Sequence, residues 1–164
     1  MTIRNENARR AKVRAEQCAP GEVRTEVSPR LYLASGRNPV SERQSQVLEQ
    51  EMDQARILTG RGHTVCLLPE HDPRGMKHPD AVVDGIIMEF KTVTGNHRKI
   101  TRNFKDAMKK AENVFLRIAP GFSKDLVRRK LRRVILDKDC RRGLIIVHFE
   151  KTGETACWNV KDLR

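Results

Sequence analysis

The chain has 164 residues, 38% hydrophobic and 33% charged but only 4% aromatic, which suits one domain with an aliphatic core and argues against base stacking on an aromatic platform. No apolar run approaches the roughly 20 residues that cross a bilayer, and "MTIRNENARR" lacks the apolar centre of a signal peptide, so the expectation is a cytoplasmic protein without a membrane span. The net charge of +12 is unevenly placed, with sixteen Lys/Arg against five Asp/Glu in residues 97–142 and six against nine in residues 41–96; such a surface draws phosphate polyanions, which makes nucleic acid the leading partner class.

Residues 1–38 are polar and Arg-rich and read as a basic N-terminal arm, with a short helix near Glu6 to Gln17, ahead of a domain over 39–164. "NPVSERQSQVLEQEMDQARILTGRGHTV" then carries helix start signals at Pro39 and Ser41 and stop signals at Gly60 and Gly62. Val47, Leu48, Met52, Ala55 and Leu58 share one side of a 3.6-residue wheel. Glu51 interrupts that stripe, and an inward carboxylate needs a partner inside the fold. A salt bridge or a rim position is the structural alternative to a functional role.

"HTVCLLPE" reads as a short strand and "EHDPRGMKH", with His71, as a loop. "PDAVVDG" and "GIIMEFKTV" then form a hairpin about Asp84-Gly85, a dipeptide suited to a two-residue type I′ turn. Counting outward from that turn, Val83 faces Ile86, Val82 faces Ile87, Ala81 faces Met88 and Asp80 faces Glu89. Lys91 shares the face of Glu89, and His78 falls opposite Lys91. The apolar face with Ala81, Val83, Ile86, Met88 and Phe90 is expected to pack on helices.

"HRKITRNFKDAMKKAEN" reads as a helix, "VFLRI" as a strand, "SKDLVRRKLRRVILDKD" as a basic amphipathic helix, and "GLIIVHFE" with "ETACWNV" as a closing hairpin. The order from Asn38 is α-β-β-β-α-β-α-β-β, an α/β fold with a mixed sheet flanked by helices. On the basic helix Arg128, Arg129, Lys130, Arg132 and Arg133 are candidate phosphate contacts, or else a solvated face. Cys18, Cys66, Cys140 and Cys157 show no CxxC spacing and are expected to be reduced thiols rather than zinc ligands.

Two carboxylates directly opposed on a sheet repel, and solvent, a shared proton or a cation can relieve them. A hard divalent ion, Mg²⁺ or Mn²⁺ ahead of Zn²⁺, would turn Asp80 and Glu89 into a ligand pair. Beside them the Lys91 ammonium can orient water or neutralise charge on phosphate. The plainer alternative is an ion pair between Glu89 and Lys91, with Asp80 only starting a strand.

"PD" and "EFK" on two arms of a hairpin, with an acid on the preceding helix, resemble the PD-(D/E)XK nuclease superfamily. More narrowly, "ARILTGRGHTVCLLPE" running into "HPDAVVDGIIMEFKT" resembles the C-terminal nuclease toxin domains of contact-dependent growth inhibition. The resemblance covers about Val40 to Val147. It implies a restriction-endonuclease-like core, Asp80 and Glu89 as metal ligands, Lys91 as the catalytic lysine, Glu51 as the helix-borne acid that joins the metal set, and Thr92 in support. It also implies tRNA as first substrate, DNA next, and an acidic cognate inhibitor or immunity protein. The Asp80 to Glu89 interval is short for the superfamily, and no long delivery region precedes the domain. Two other readings stay open. One is a metal-independent RNase of the barnase-EndoU-colicin-RelE-like group, resting on Lys91 with His78 or His97. The other is a nucleic-acid-binding module without catalysis.

Overall fold

The computed structural model describes Cys18, residues 24–70 and residues 78–164; the helix expected near Glu6 to Gln17, and His71, lie outside the described residues. The chain divides into two compact units, Met1–Ile87 and Met88–Arg164. The fold is mixed α/β, and from the first helix onward the elements follow the expected order.

In the first unit β1 (Arg24–Ser28) and β2 (Leu31–Ala34) form an antiparallel hairpin that the sequence did not reveal. Its turn passes through Arg30 at φ 68° rather than through a glycine or asparagine, so the usual local signal is missing. β2 runs parallel to β3 (Val65–Leu67), and β3 is antiparallel to β4 (Ala81–Val83). Between them α1 (Glu42–Thr59) starts at Ser41, whose hydroxyl accepts from the Gln44 N–H at 3.3 Å, and buries Leu48, Ala55 and Leu58. It stops at Gly60, whose N–H bonds the Arg56 carbonyl at 2.9 Å.

The expectation of four reduced thiols is corrected here. Cys18 and Cys66 form a disulfide, with Cα atoms 6.0 Å apart. Cys140 and Cys157 are free. Spacing could not reveal the pair, since 48 residues separate its members and only the fold brings Cys18 against β3. Asp84 and Gly85 both take positive φ, 48° and 83°, as a type I′ turn requires. Val82 and Ile87, on either side of that turn, pack with one apolar cluster.

The second unit is built on β5 (Ile86–Val93), which the division cuts after Ile87. It continues through α2 (Arg98–Met108), β6 (Asn113–Ile118), α3 (Lys124–Asp137), β7 (Leu144–Phe149), β8 (Thr155–Asn159) and a 3₁₀ turn over Val160–Leu163. β5, β6 and β7 are parallel, joined by helical crossovers, and β8 returns antiparallel to β7. Alternate residues Val114, Leu116 and Ile118 of β6 and Ile145, Val147 and Phe149 of β7 meet Ile100 and Phe104 of α2 and Leu131 and Ile135 of α3 in one core.

Of the apolar face expected to meet helices, Ala81, Val83, Met88 and Phe90 are buried while Ile86 is exposed, and the helices of the second unit lie on the opposite face of β5. Glu89 pairs in register with Val114 and Lys91 with Leu116. Val93, on the same face, joins the core that α2 and α3 complete. Within this unit the helices therefore cover the face of the acid and the lysine, while Phe90, on the other face, meets Phe115 edge-on at 5.5 Å. A parallel strand is buried on both sides, so alternation alone could not say which face the crossovers would take. Among the described residues no helix is long and apolar enough to cross a membrane.

Candidate functional site

In the second unit β5 presents Glu89 and Lys91 two residues apart, hence on one face. Glu89 has no solvent exposure. A carboxylate placed there needs charge compensation. Two ammonium groups supply it: Lys91 and Lys110 both donate to Glu89 Oε1, the latter at 2.7 Å. The two lysine side chains stay 26% and 30% exposed, so each links the buried charge to the surface.

Sequence reasoning missed Lys110. It lies just past α2 in "KKAEN", 21 residues from its partner, and no local pattern reports that reach. Thr92 is exposed; its carbonyl accepts from Asn103 Nδ2 at 2.9 Å, which ties β5 to α2. Asp106, also on α2, has its carboxyl held below the ordinary carboxylate range, first by its bond from Lys109 and further by the charges of Lys109, Arg102 and Lys91.

In the first unit Glu51 is 9% exposed and Arg37 7%. Arg37 Nη2 donates to Glu51 Oε2, and Nη1 donates to the Leu68 carbonyl at 3.0 Å. The expected inward acid is there, and its partner, Arg37, comes from the turn "SGRNP". Asp80 is partly exposed, and its carbonyl accepts from the Leu68 N–H at 2.9 Å. The buried His78 donates its backbone N–H to the Glu70 carbonyl at 3.0 Å.

His63 contacts Asp84 at 2.6 Å, and the Thr64 N–H donates to the same carboxylate at 2.8 Å. Burial pushes the Asp84 carboxyl up, but these bonds outweigh it and hold the group below its ordinary range. His148 bonds Thr155 across β7 and β8 at 3.0 Å, a structural place. On α3, Arg128, Arg129, Arg132 and Arg133 are exposed and Lys130 is half-buried. Arg133 lies 3.9 Å from Asp137 one turn on.

Carboxylate oxygens suit a hard divalent ion, and Glu51 and Glu89 each stand against cationic side chains. Among the described residues no group of three or more His, Cys, Asp or Glu side chains is gathered to hold a metal.

Residues 77–153 match the family model of the contact-dependent growth inhibition CdiA C-terminal domain, a span that contains Asp80, Glu89, Lys91 and Lys110. No curated protein sequence matches the chain. The fold is similar to that of a chain in the CdiA-CT/CdiI toxin and immunity complex from Burkholderia pseudomallei, with a TM-score of 0.54 and 21% identity over 77% of this chain and 98% of that one. The family model matches the segment that holds the acid and the lysines, and the solved structure is similar in fold.

Proposed function

We propose that this chain is a nuclease toxin domain that hydrolyses phosphodiester bonds, with tRNA as its first substrate and DNA next. The observation that carries the reading is Glu89, fully buried, with the Lys91 and Lys110 ammoniums converging on one of its oxygens. Such a cluster gathers two cationic side chains beside one buried carboxyl group. When a phosphate arrives, the half-exposed ammoniums can turn to its oxygens and stabilise the charge that develops there, which is where electrostatic catalysis gains most.

The type I′ turn at Asp84-Gly85 and the shared cluster of Val82 and Ile87 support extending the register outward. We propose Asp80 as the second carboxylate, Glu51 as the helix-borne acid, and His78 and Thr92 as supporting groups. These acids are the proposed holders of Mg²⁺ or Mn²⁺, ahead of Zn²⁺. A bound ion would supply Lewis-acid polarisation of the phosphodiester and a more acidic water. The similar solved structure pairs a toxin with an immunity protein; for a chain of net charge +12 we propose an acidic counterpart.

The test is cleavage of labelled tRNA and DNA by wild type and Lys91→Ala with Mg²⁺, Mn²⁺ or Zn²⁺. Cleavage by the wild type and its loss in the variant are expected. Equal cleavage by both, or none with any ion, refutes the reading. A second reading, a metal-independent RNase, is favoured by the ammoniums that already neutralise Glu89; RNA cleavage that survives a chelator would select it.

A further inference from the structure

Along α2, Arg98, Arg102, Lys105 and Lys109 are spaced by four, three and four residues, which sets all four on one helix face. They line one side of a cavity of about 640 Å³, and Lys138, at the end of α3, completes the basic rim. Arg98, Arg102 and Lys109 are exposed and Lys105 is half-buried. From Arg98 to Lys109 the stripe is about 17 Å long at 1.5 Å per residue, the axial rise of roughly five nucleotides of one duplex strand.

The floor is apolar, with Met108, Val134 and Cys140 lining it and the Met108 and Cys140 sulfurs 3.8 Å apart. Asp106 is also in the lining, and Lys110, next in sequence after Lys109 of the stripe, donates with Lys91 to Glu89 Oε1. None of Arg128, Arg129, Lys130, Arg132 and Arg133 lines this cavity. The structure therefore separates two basic surfaces, where the sequence drew attention to α3 alone.

We infer that the groove between α2 and the end of α3 is a track for a nucleic-acid backbone, with the α2 stripe on the phosphates and the apolar floor beneath a base or sugar. This deepens the nuclease reading and depends on it for one feature, the direction of the track towards Lys91. Charge alone would also suit an acidic protein. The backbone is favoured because the cations are spaced along one line, and because that line leads to the ammoniums that the proposed chemistry uses.

The test compares full-length protein, in a Lys91→Ala background that arrests cleavage, with and without the triple change Arg98→Gln, Arg102→Gln, Lys105→Gln. The probes are a fluorescein-labelled tRNA transcript and a short DNA duplex, titrated by anisotropy at several salt concentrations. Thermal melts confirm folding, and the single exposed change Arg102→Glu serves as a second variant. The triple change should weaken binding at least about tenfold and flatten the log K against log salt slope by about two to three, roughly one per lost phosphate contact.

Arg129→Gln with Arg133→Gln should change both quantities less. Unchanged affinity and slope in the α2 variants overturn the track and leave an acidic protein as the occupant of the groove. A slope lost only in the α3 pair overturns it too. If the wild type cleaves while α2 proves irrelevant to binding, the track fails and the nuclease reading stands. If nothing is cleaved but binding follows α2, the nuclease reading fails and the track stands. A tighter hold on tRNA than on the duplex, or the reverse, tells which nucleic acid the groove fits.

Discussion

Arg37 and Glu51 form an ion pair across fourteen residues of sequence, with side-chain exposures of only 7% and 12%, and the same guanidinium donates to the Leu68 carbonyl at 3.0 Å. One cation therefore serves both the acid on α1 and the end of β3. Arg37→Ala should lower stability by about 3–5 kcal/mol, because a buried carboxylate loses its guanidinium. Urea denaturation measures it, and the loss should shrink in a Glu51→Gln background. A cost below about 1 kcal/mol would show that the pair contributes little.

Lys91 and Lys110 share one oxygen of Glu89 but arrive from different elements. Lys91→Ala is expected to slow nucleic-acid cleavage by about 10²–10³-fold, the scale of losing one preorganised donor. Lys110→Ala, which leaves Lys91 in place, should slow it by about tenfold. Single-turnover rates decide the order, and equal effects would show that the two ammoniums are interchangeable.

Gly143 has φ 131°, and a Cβ built on it lies 2.2 Å from the Glu112 carbonyl oxygen. Backbone cannot yield as a flexible side chain can. Gly143→Ala should cost about 3 kcal/mol or more, a fall of about 6–12 °C in Tm. Gly153→Ala is the contrast, since at φ 68° a Cβ meets nothing within 4 Å and only the left-handed backbone cost of about 1 kcal/mol remains. Paired thermal melts compare them.

Asp84 makes the turn depend on pH. Its folded-state carboxyl is held below the ordinary value of 3.8, so the unfolded chain binds the proton more readily. The contribution is fully present above that value and is lost as pH falls through the lower folded pKa. Melting temperature should thus drop below about pH 4, and Asp84→Asn should flatten that part of the profile. Identical acid limbs in variant and wild type would remove Asp84 from the explanation.

Reduction should matter for the first unit. The Cys18–Cys66 bond closes a span of 48 residues, and loop-closure entropy for that length is worth about 4 kcal/mol. Urea midpoints with and without reductant measure it, and Cys18→Ser should match the reduced wild type. No effect of reductant would mean that the ends of the loop are already close in the unfolded chain.

Much of this architecture was legible because its punctuation is local. Ser41 and Ser123 cap their helices with side-chain oxygens, Gly60 ends α1, and Asp84-Gly85 takes the turn its residue types demand. The β1–β2 hairpin turns on Arg30, whose positive φ no propensity would assign to arginine. Cys18, Arg37 and Lys110 were missed for a shared reason: each finds its partner across the fold, at sequence distances that leave no periodic trace. Glu51 shows the intermediate case, since its place in an apolar stripe announced a need, while Arg37 became visible only in the fold.

The disulfide also decides what kind of object the chain is under tension. An open polypeptide drawn from one end can pass a narrow aperture as a single strand. With Cys18 joined to Cys66 the 48-residue span between them cannot be drawn out; about 160 Å of contour stays hidden behind the bond at roughly 3.4 Å per residue. The segment holding β1, β2 and α1 would have to cross doubled back on itself. Cleaving one S–S bond turns a noose into a thread.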